Sequence, residues 1–300
     1  MILETLTACP VCGHARFTPF LKAKDQTVSH AEFQIVACSD CNFLFTNPRP
    51  PASEIGQYYE SNEYISHHDD AKDLMSKVYN LVRDYTTQQK IKLLHHAVPG
   101  KGTLLDVGCG TGFFLSKARE ACWQVHGTEP DTQARAVAMG RVGEAIHENI
   151  EAPFFDSKTY EAITMWHVLE HVHQLNETMD WLHQHLAPQG RLFIAVPNPE
   201  SEDAQAYQEN WAAYDVPRHL YHFSKKAISD LARAHKFKVV RILPMWFDAY
   251  YVSMLSTRYA QGSTSLPASV WQGTVSNWKG RKSAEKEYNT SSLIYVLSKN

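Results

Sequence analysis

The chain has 300 residues, of which 44% are hydrophobic, and a formal net charge of −3. This length suffices for one core domain with a small appended module. The near-neutral charge gives no general attraction to nucleic acid or anionic membranes, and no apolar run approaches the length of a membrane span. We therefore expect a cytoplasmic protein with no membrane span and no nucleic-acid partner.

Residues 1–50 form a predicted zinc ribbon. The pairs Cys9/Cys12 and Cys38/Cys41 follow the C-x-x-C pattern, which in a reducing compartment holds metal more often than it forms disulfides. Four thiolates in two tight turns can close a tetrahedral zinc site, and a site closed by four cysteines is structural. Basic and acidic residues balance within this segment, which favours a scaffold or lid role over RNA binding.

Residues 51–98 are predicted to be a helical linker and cofactor lid, because apolar residues recur there at helical spacing. The segment from 57 to 68 is rich in tyrosine and histidine, and we expect four of its side chains to face the ligand cleft. They are Tyr58, Tyr59, Tyr64 and His67, of which Tyr64 and His67 are the candidate cofactor contacts.

From residue 99 to residue 300, strand-like and helix-like segments alternate, which is typical of an α/β, doubly wound parallel sheet. The closing segment SSLIYVL predicts a last, antiparallel strand. Residues 261–289 are rich in serine, threonine, glycine and charge, which predicts an excursion or a mobile loop.

The most informative motif is LLDVGCGTGFF, in which Asp106 ends a predicted strand and Gly108, Gly110 and Gly112 follow at alternate positions. It is not a dinucleotide fingerprint, because Phe113 stands where that motif requires glycine, and it lacks the lysine–serine pair of a phosphate-binding loop. The stretch resembles motif I of the class I S-adenosylmethionine-dependent methyltransferases. That resemblance implies a Rossmann-like, seven-stranded sheet and S-adenosylmethionine as cofactor.

The resemblance also implies the residues that line the cofactor. Asp106 would address the charged methionine end, and Glu129, at the end of the next strand, would accept both ribose hydroxyls. Asn149 and Ile150 would lie near the adenine. The other candidate contacts come from the glycine turn and from the ends of two strands: Gly108, Cys109, Gly110, Gly112, Phe113, Pro130, Met165, Trp166 and His167.

His167, Glu170 and His171 match the H-x-x-E-H pattern of one metalloprotease class. We interpret this match as a coincidence, because the methyltransferase resemblance already explains the preceding strand and the sequence offers no third ligand. For His171, a packed or capping role and a chemical role are equally compatible with the sequence.

The stretch YDVPRHLYHFS, residues 214–224, lies where this fold contributes contacts to the acceptor. Arg218 could bind an anionic or hydroxyl-rich acceptor, and His219 has a pKa range suited to a general base. We predict Arg218, His219 and His167 as the catalytic candidates. Tyr221, His222 and Phe223 are predicted to pack, and Ser224 to cap the following helix.

A zinc ribbon, a tyrosine-rich linker and a methyltransferase core together resemble the C-methyltransferases of deoxysugar biosynthesis. Quinone-type O-methyltransferases carry acceptor residues in the same place, so O-, C- and N-methylation stay open. The leading hypothesis is methyl transfer to a small-molecule acceptor. The alternatives are an rRNA or tRNA methyltransferase that uses its ribbon to contact RNA, and a non-catalytic assembly protein that keeps the cofactor pocket. The sequence leaves the oligomeric state open.

Overall fold

The structure is a computed structural model that describes residues 2–59, 74–98, 100, 102–263, 265–282 and 287–300, with only the backbone described for residues 74–79 and 282. Two predicted cofactor contacts, Tyr64 and His67, lie outside the described residues.

The N-terminal segment forms a small antiparallel sheet. Its first three strands are β1 (Phe17–Lys24), β2 (Glu32–Cys38) and β3 (Leu44–Thr46). A fourth strand, β9 (Tyr221–His222), comes from the stretch 214–224 and pairs with β3, Phe45 lying opposite Tyr221. The two cysteine pairs lie in the turns before β1 and after β2.

The main sheet has seven strands in the order β10–β11–β8–β7–β4–β5–β6. Strands β4 to β8 run parallel to one another, whereas β11 runs antiparallel to both β8 and β10. The predicted doubly wound α/β fold, with its antiparallel last strand, is confirmed. The strands are β4 (Thr103–Val107), β5 (Gln124–Thr128), β6 (Ile146–His147), β7 (Tyr160–Trp166), β8 (Leu186–Pro197), β10 (Phe237–Pro244) and β11 (Ser292–Lys299).

Helices cover both faces of this sheet, as parallel strands require for their connections. Helix α6 begins after Ser224, whose hydroxyl accepts a hydrogen bond from the amide of Ala227 at 3.1 Å, so the predicted cap is confirmed. The helices are α1 (Leu74–Ala97), α2 (Phe113–Glu120), α3 (Thr132–Val142), α4 (Leu175–His185), α5 (Glu202–Tyr207), α6 (Lys225–Ala234), α7 (Asp248–Gln261) and α8 (Leu266–Lys282).

The expectation of a mobile loop over residues 261–289 is wrong for the described part of that segment, because α8 occupies most of it. Its hydroxyl groups have partners within the fold. Ser269 and Thr274 donate to carbonyl oxygens four residues earlier, and the buried Ser276 donates to Asp203 at 2.7 Å. Composition misled here because these polar side chains bond to the helix backbone and to a buried carboxylate instead of to water.

The core lies on both faces of the central strands. Most of β7 and residues 192–197 of β8 are buried, including Ile163 and Ile194, which have no exposed surface. This burial explains why the sequence of these strands is apolar without alternation. The parallel pairing of β4 with β5 and β7 places the carboxyl ends of these three strands along one edge of the sheet, where polar and charged side chains collect. None of the described helices is long and apolar enough to cross a membrane.

Candidate active site

The glycine turn after β4 adopts a conformation that favours glycine at three positions. Gly108, Gly110 and Gly112 have φ angles of 71°, 55° and 74°, in the left-handed region. A Cβ on Gly108 would lie 2.6 Å from a methyl group of Val168, whereas a Cβ on Gly110 would meet nothing within 4 Å. Gly110 therefore faces open space, and its backbone is available to a ligand.

Asp106 lies buried at the end of β4 and accepts a hydrogen bond from the hydroxyl of Thr164 at 2.6 Å. Burial raises the pKa of this carboxyl to about 7, although the Thr164 bond and the ammonium of Lys90 act in the opposite direction. The carboxyl therefore stands near half-ionisation at neutral pH, and a cation placed beside it would favour the charged form.

Glu129 lies at the end of β5 and bridges two backbone segments. Its carboxylate accepts hydrogen bonds from the amides of Gly110 at 2.7 Å and Asp131 at 3.0 Å. Burial raises the pKa of Glu129, although these amide bonds oppose the shift. The bond to Gly110 brings together the glycine turn after β4 and the acidic residue at the end of β5, as the sequence predicted. The adjacent Pro130 is exposed, and its carbonyl oxygen accepts a hydrogen bond from Arg135.

Lys90 is a residue that the sequence interpretation missed. Its ammonium lies 4.3 Å from the centroid of the Trp166 ring, and burial lowers its pKa despite the nearby carboxylates of Asp248 and Asp106. Its helical spacing could have indicated this position, because Lys90 lies between Thr87 and Leu94 on the face of α1 that is buried.

His167 follows β7 and has a φ angle of 58°, in a region that few side chains adopt outside functional or turn positions. Its ring nitrogens lie 3.3 Å from Glu170 and 3.0 Å from Asp248. Burial disfavours the charged ring, but the two carboxylates outweigh that effect and raise the pKa of His167 to about 10. His167 is therefore a cation at neutral pH and is poorly suited to act as a base.

Asp248, the first residue of α7, was also missed. An acidic residue in the first turn of a helix ordinarily interacts with the helix dipole, so its sequence position gave no signal of a contact with His167.

A second cluster lies beside His167. The hydroxyl of Tyr59 is 2.9 Å from Nδ1 of His171, and the rings of His171 and His219 are 4.6 Å apart in an edge-to-face arrangement. One ligand atom each from Glu170, His171 and His219 lies within 4.8 Å of the others. The structure thus brings together residues from three distant segments of the chain.

Arg218 does not point freely into this cluster. It is 1% exposed, and its guanidinium contacts Asp25 at 3.2 Å, Asp215 at 2.6 Å and the carbonyl oxygen of Tyr58 at 2.8 Å. These contacts favour a role in fixing the ribbon to the core. The predicted contact with an acceptor stays a prediction, and the geometry gives it no support.

The remaining predicted cofactor contacts lie around the same edge. Asn149 is exposed and accepts a hydrogen bond from the amide of Glu151, while Ile150 packs partly buried against the core. Met165 and Cys109 are buried, and Trp166 is partly buried. Phe113 lies partly buried at the start of α2, with the guanidinium of Arg83 4.1 Å from its ring centroid.

The four ribbon cysteines converge. The sulfurs of Cys9 and Cys41 are 3.6 Å apart and those of Cys12 and Cys38 are 3.5 Å apart. A tetrahedral zinc–thiolate site with bonds of about 2.3 Å requires sulfurs about 3.8 Å apart, so the spacing fits a zinc ribbon. In each cysteine turn, the amide four residues after the first cysteine donates to the carbonyl oxygen of that cysteine. The donors are Gly13, to Cys9, and Asn42, to Cys38, and both have left-handed backbone conformations.

The chain is similar to several solved methyltransferase structures. A magnesium protoporphyrin IX methyltransferase from Synechocystis PCC 6803 with bound SAH is similar in fold, with 13% identity, coverage of 81% of this chain and 97% of that chain, and a TM-score of 0.52. A SAM-dependent methyltransferase from Archaeoglobus fulgidus shows 14% identity over 72% of this chain and 94% of that chain, with a TM-score of 0.48. A SAM-bound amino pentose methyltransferase from Micromonospora echinaspora shows 24% identity over 43% of this chain and 58% of that chain, with a TM-score of 0.35.

The sheet order and the first of these similarities define the class I S-adenosylmethionine-dependent methyltransferase fold. A family model described as a methyltransferase domain matches residues 79–242, which is more than half of the chain. The chain therefore belongs to this methyltransferase family. No curated protein matches the sequence.

Proposed function

We propose that this protein transfers a methyl group from S-adenosylmethionine to a small-molecule acceptor. The observation that carries the proposal is the open, left-handed glycine turn at Gly110, flanked by the carboxyl groups of Asp106 and Glu129 at two adjacent strand ends. Backbone without side chains lets a ligand approach closely, and the two acids can accept hydrogen bonds from its amino group and hydroxyls.

The cofactor would be held by residues along this edge. Asp106 would pair with the cationic amino group, and Glu129 would exchange its bond with the Gly110 amide for bonds to the ribose hydroxyls. Asn149 and Ile150 would border the adenine, and Met165 and Trp166 the methionine chain. When bound, the cofactor supplies an electrophilic methyl group on a sulfonium, and the protein supplies positioning.

The acceptor would bind beside the cluster of Tyr59, His171 and His219. These side chains offer hydrogen-bond donors and acceptors at the edge that also carries the cofactor residues. Such groups suit an oxygen-bearing metabolite, such as a sugar or a quinone-like phenol. His219 is the candidate base, because its Nδ1 is held by the carbonyl oxygen of Ala213 at 2.9 Å, which leaves Nε2 to accept a proton.

The four ribbon cysteines would bind one structural Zn²⁺, since their spacing suits a closed tetrahedral site. The ribbon would act as a scaffold, because its sheet is completed by β9.

Cofactor binding can be tested by thermal unfolding with and without S-adenosylmethionine. We expect the wild type to gain stability, and Gly110→Arg to lose that gain because the side chain would fill the open space beside the turn. Gly140→Arg is the matched control, since Gly140 also has nothing within 4 Å of a Cβ and lies on the exposed face of α3. Absence of any shift in the wild type would overturn the proposal.

Methyl transfer requires a separate experiment. The protein would be incubated with methyl-labelled S-adenosylmethionine and a cell extract separated into small molecules, RNA and protein. Label in the small-molecule fraction supports the proposed acceptor class. Label in RNA would instead favour an RNA methyltransferase, and cofactor binding without transfer would favour an assembly protein.

A further inference from the structure

Glu170, His171 and His219 form a cluster whose hydrogen bonding the methyltransferase proposal does not explain. Glu170 and His171 belong to the H-x-x-E-H match, for which the sequence offered no third ligand. The fold supplies one, because the backbone amide of Leu220 donates to the Glu170 carbonyl at 2.8 Å and so holds His219 beside this pair.

The carboxylate of Glu170 is fully buried, and among the described residues neither of its oxygens accepts a hydrogen bond. Its polar contact in that part of the chain is the cationic ring of His167, whose Nδ1 forms an ion pair with Oε1 at 3.3 Å, and this contact leaves Oε2 over. A buried carboxylate is costly unless it is paired and hydrogen-bonded, so at least one oxygen is suited to a further cation.

Both histidines place Nδ1 against a backbone carbonyl oxygen. Nδ1 of His171 lies 3.1 Å from the carbonyl oxygen of Arg218, and Nδ1 of His219 lies 2.9 Å from that of Ala213. A carbonyl oxygen can only accept, so each Nδ1 carries the proton and each Nε2 keeps a lone pair. The hydroxyl oxygen of Tyr59, 2.9 Å from the same Nδ1 of His171, then accepts from it as well. Histidines that bind metals are typically oriented in this way, with the other ring nitrogen donating to a backbone carbonyl.

A hydrogen-bonded acid–base cluster would be built differently. Its carboxylate would accept an N–H of His171 or His219, whereas here the Nδ1–H groups of both histidines bond to backbone carbonyls. Asp215, the other acid near His219, lies 3.9 Å from Nε2, beyond hydrogen-bond reach.

We propose that Glu170, His171 and His219 bind one divalent transition-metal ion through a carboxylate oxygen and the two Nε2 atoms. Two imidazoles and one carboxylate suit Mn²⁺, Fe²⁺, Co²⁺ or Zn²⁺ and are a poor match for Ca²⁺, which takes six to eight oxygen ligands. Three protein ligands leave coordination positions open, as in metal sites that act on a substrate and unlike the closed cysteine site of the ribbon.

The chemical role of the ion rests on the proposed methyl transfer. An acceptor hydroxyl bound at an open position loses its proton to solvent more readily. Its oxygen then attacks the methyl carbon, the carbon–sulfur bond breaks with its electron pair going to sulfur, and S-adenosylhomocysteine leaves as a neutral thioether. The ion, in place of the imidazole of His219, would then activate the acceptor.

The test is a Co²⁺ titration of full-length protein whose ribbon is already filled with zinc, followed by visible absorption and calorimetry in the absence of cofactor. We expect one further equivalent of Co²⁺, with d–d bands but without the thiolate charge-transfer band that cobalt in the ribbon would give. Glu170→Gln and His219→Gln should each weaken this binding by roughly 100-fold or more.

His173→Gln is the matched control and should bind Co²⁺ like the wild type, because His173 bonds to the carbonyl of Pro50 outside the cluster. Zinc content and circular dichroism establish that each variant is folded. If a variant fails to fold, pulsed electron paramagnetic resonance of Cu²⁺ bound to the zinc-filled wild type decides, and coupling to two imidazole nitrogens is expected.

Failure of the wild type to bind a second ion, or coupling to fewer than two imidazoles, would overturn the metal site. Because neither measurement uses S-adenosylmethionine, that result would leave the proposed methyl transfer standing. Conversely, absence of cofactor binding would not affect the cobalt result.

Discussion

The proposed cofactor region and the proposed acceptor region of this protein are built in different ways. The cofactor region, Asp106 to Glu129, lies at the carboxyl ends of the adjacent strands β4 and β5. Its hydrogen bond from the Gly110 amide to the Glu129 carboxylate joins two ends of a single βαβ unit. The acceptor region, formed by Tyr59, Glu170, His171 and His219, draws on the linker, on the turn after β7 and on the segment before β9. A local motif specifies the first region, and only the tertiary fold assembles the second.

This difference has a physical basis. Strand ends in a parallel sheet meet at one edge whatever the loops do, so a glycine turn and an acid on the next strand are placed by the fold class alone. The acceptor region depends on the ribbon, because Thr46 of β3 donates to the carbonyl of His219 at 2.9 Å. Perturbing the ribbon should therefore disturb acceptor residues and spare cofactor residues.

Loss of the proposed zinc site tests this dependence with the largest expected effect. Structural zinc supplies on the order of 10 kcal/mol of folding free energy, so Cys38→Ala should unfold β1 to β3. We expect backbone hydrogen exchange to increase there and at β9, and to stay unchanged at residues 103–112. Cys122→Ala, at an exposed cysteine remote from the ribbon, should change neither. Unchanged protection of β9 in Cys38→Ala would show that the two regions are independent.

Removing the buried cation that links ribbon and core comes next. Arg218→Met leaves Asp25 and Asp215 without their shared partner, and breaking a buried ion pair costs about 3–5 kcal/mol. Urea unfolding should report that loss. Arg233→Met is the control, because that side chain is 73% exposed and its ion pair is worth about 0.5 kcal/mol. Equal losses in the two variants would contradict a linking role for Arg218.

The cofactor region should respond to pH through Asp106. Its pKa is raised to about 7 by burial, so the carboxyl is protonated below that pH and the cationic amino group of the cofactor loses its partner. We expect the affinity of the wild type for S-adenosylmethionine to fall about tenfold per pH unit below 7. Calorimetry at several pH values measures this slope.

Asp106→Asn should bind the cofactor weakly and with little dependence on pH. Because a raised pKa means that ionisation of the folded protein is unfavourable, the cofactor-free variant should also be more stable than the wild type above pH 7. A wild-type affinity that is flat between pH 5 and pH 8 would remove Asp106 from the proposed site.

The smallest expected effect concerns the connection between β9 and α6, which contains Ser224. Ser224→Ala removes the hydroxyl that caps α6 and should cost about 1 kcal/mol in the free energy of unfolding. Ser229→Ala is the control, because that hydroxyl donates to a carbonyl within the same helix and contributes little, about 0.5 kcal/mol or less. If Ser229→Ala lowered the free energy of unfolding more than Ser224→Ala, the cap would not be what stabilises the connection between β9 and α6.

Much of the fold follows from the sequence. The alternation of strands and helices, the glycine motif and the cysteine spacing are local signals, and each predicted the element that the structure contains. The serine-rich helix α8 did not follow, because its hydroxyls bond to the helix backbone and to Asp203, and composition does not report such partners.

The site was less predictable. Asp106, Gly110 and Glu129 could be named because a motif fixes their spacing, and their roles stay predictions. Lys90 and Asp248 escaped notice because each belongs to a helix whose distance from the edge only the tertiary fold sets. Arg218 looked like a ligand-binding group because sequence does not show that two buried carboxylates already engage it.

Strand β9 is only two residues long, yet it sets the limits for protein engineering on this scaffold. A chimera that exchanged residues 1–50 between relatives would bring three strands and leave behind the fourth, together with Tyr221, whose hydroxyl accepts a hydrogen bond from Arg49 at 2.9 Å. A graft that carries residues 214–224 along with the ribbon would preserve the pairing of β3 with β9 and the bond between Arg49 and Tyr221. The segment to exchange between proteins is thus discontinuous in the sequence: it consists of residues 1–50 and of residues 214–224, some 170 residues later.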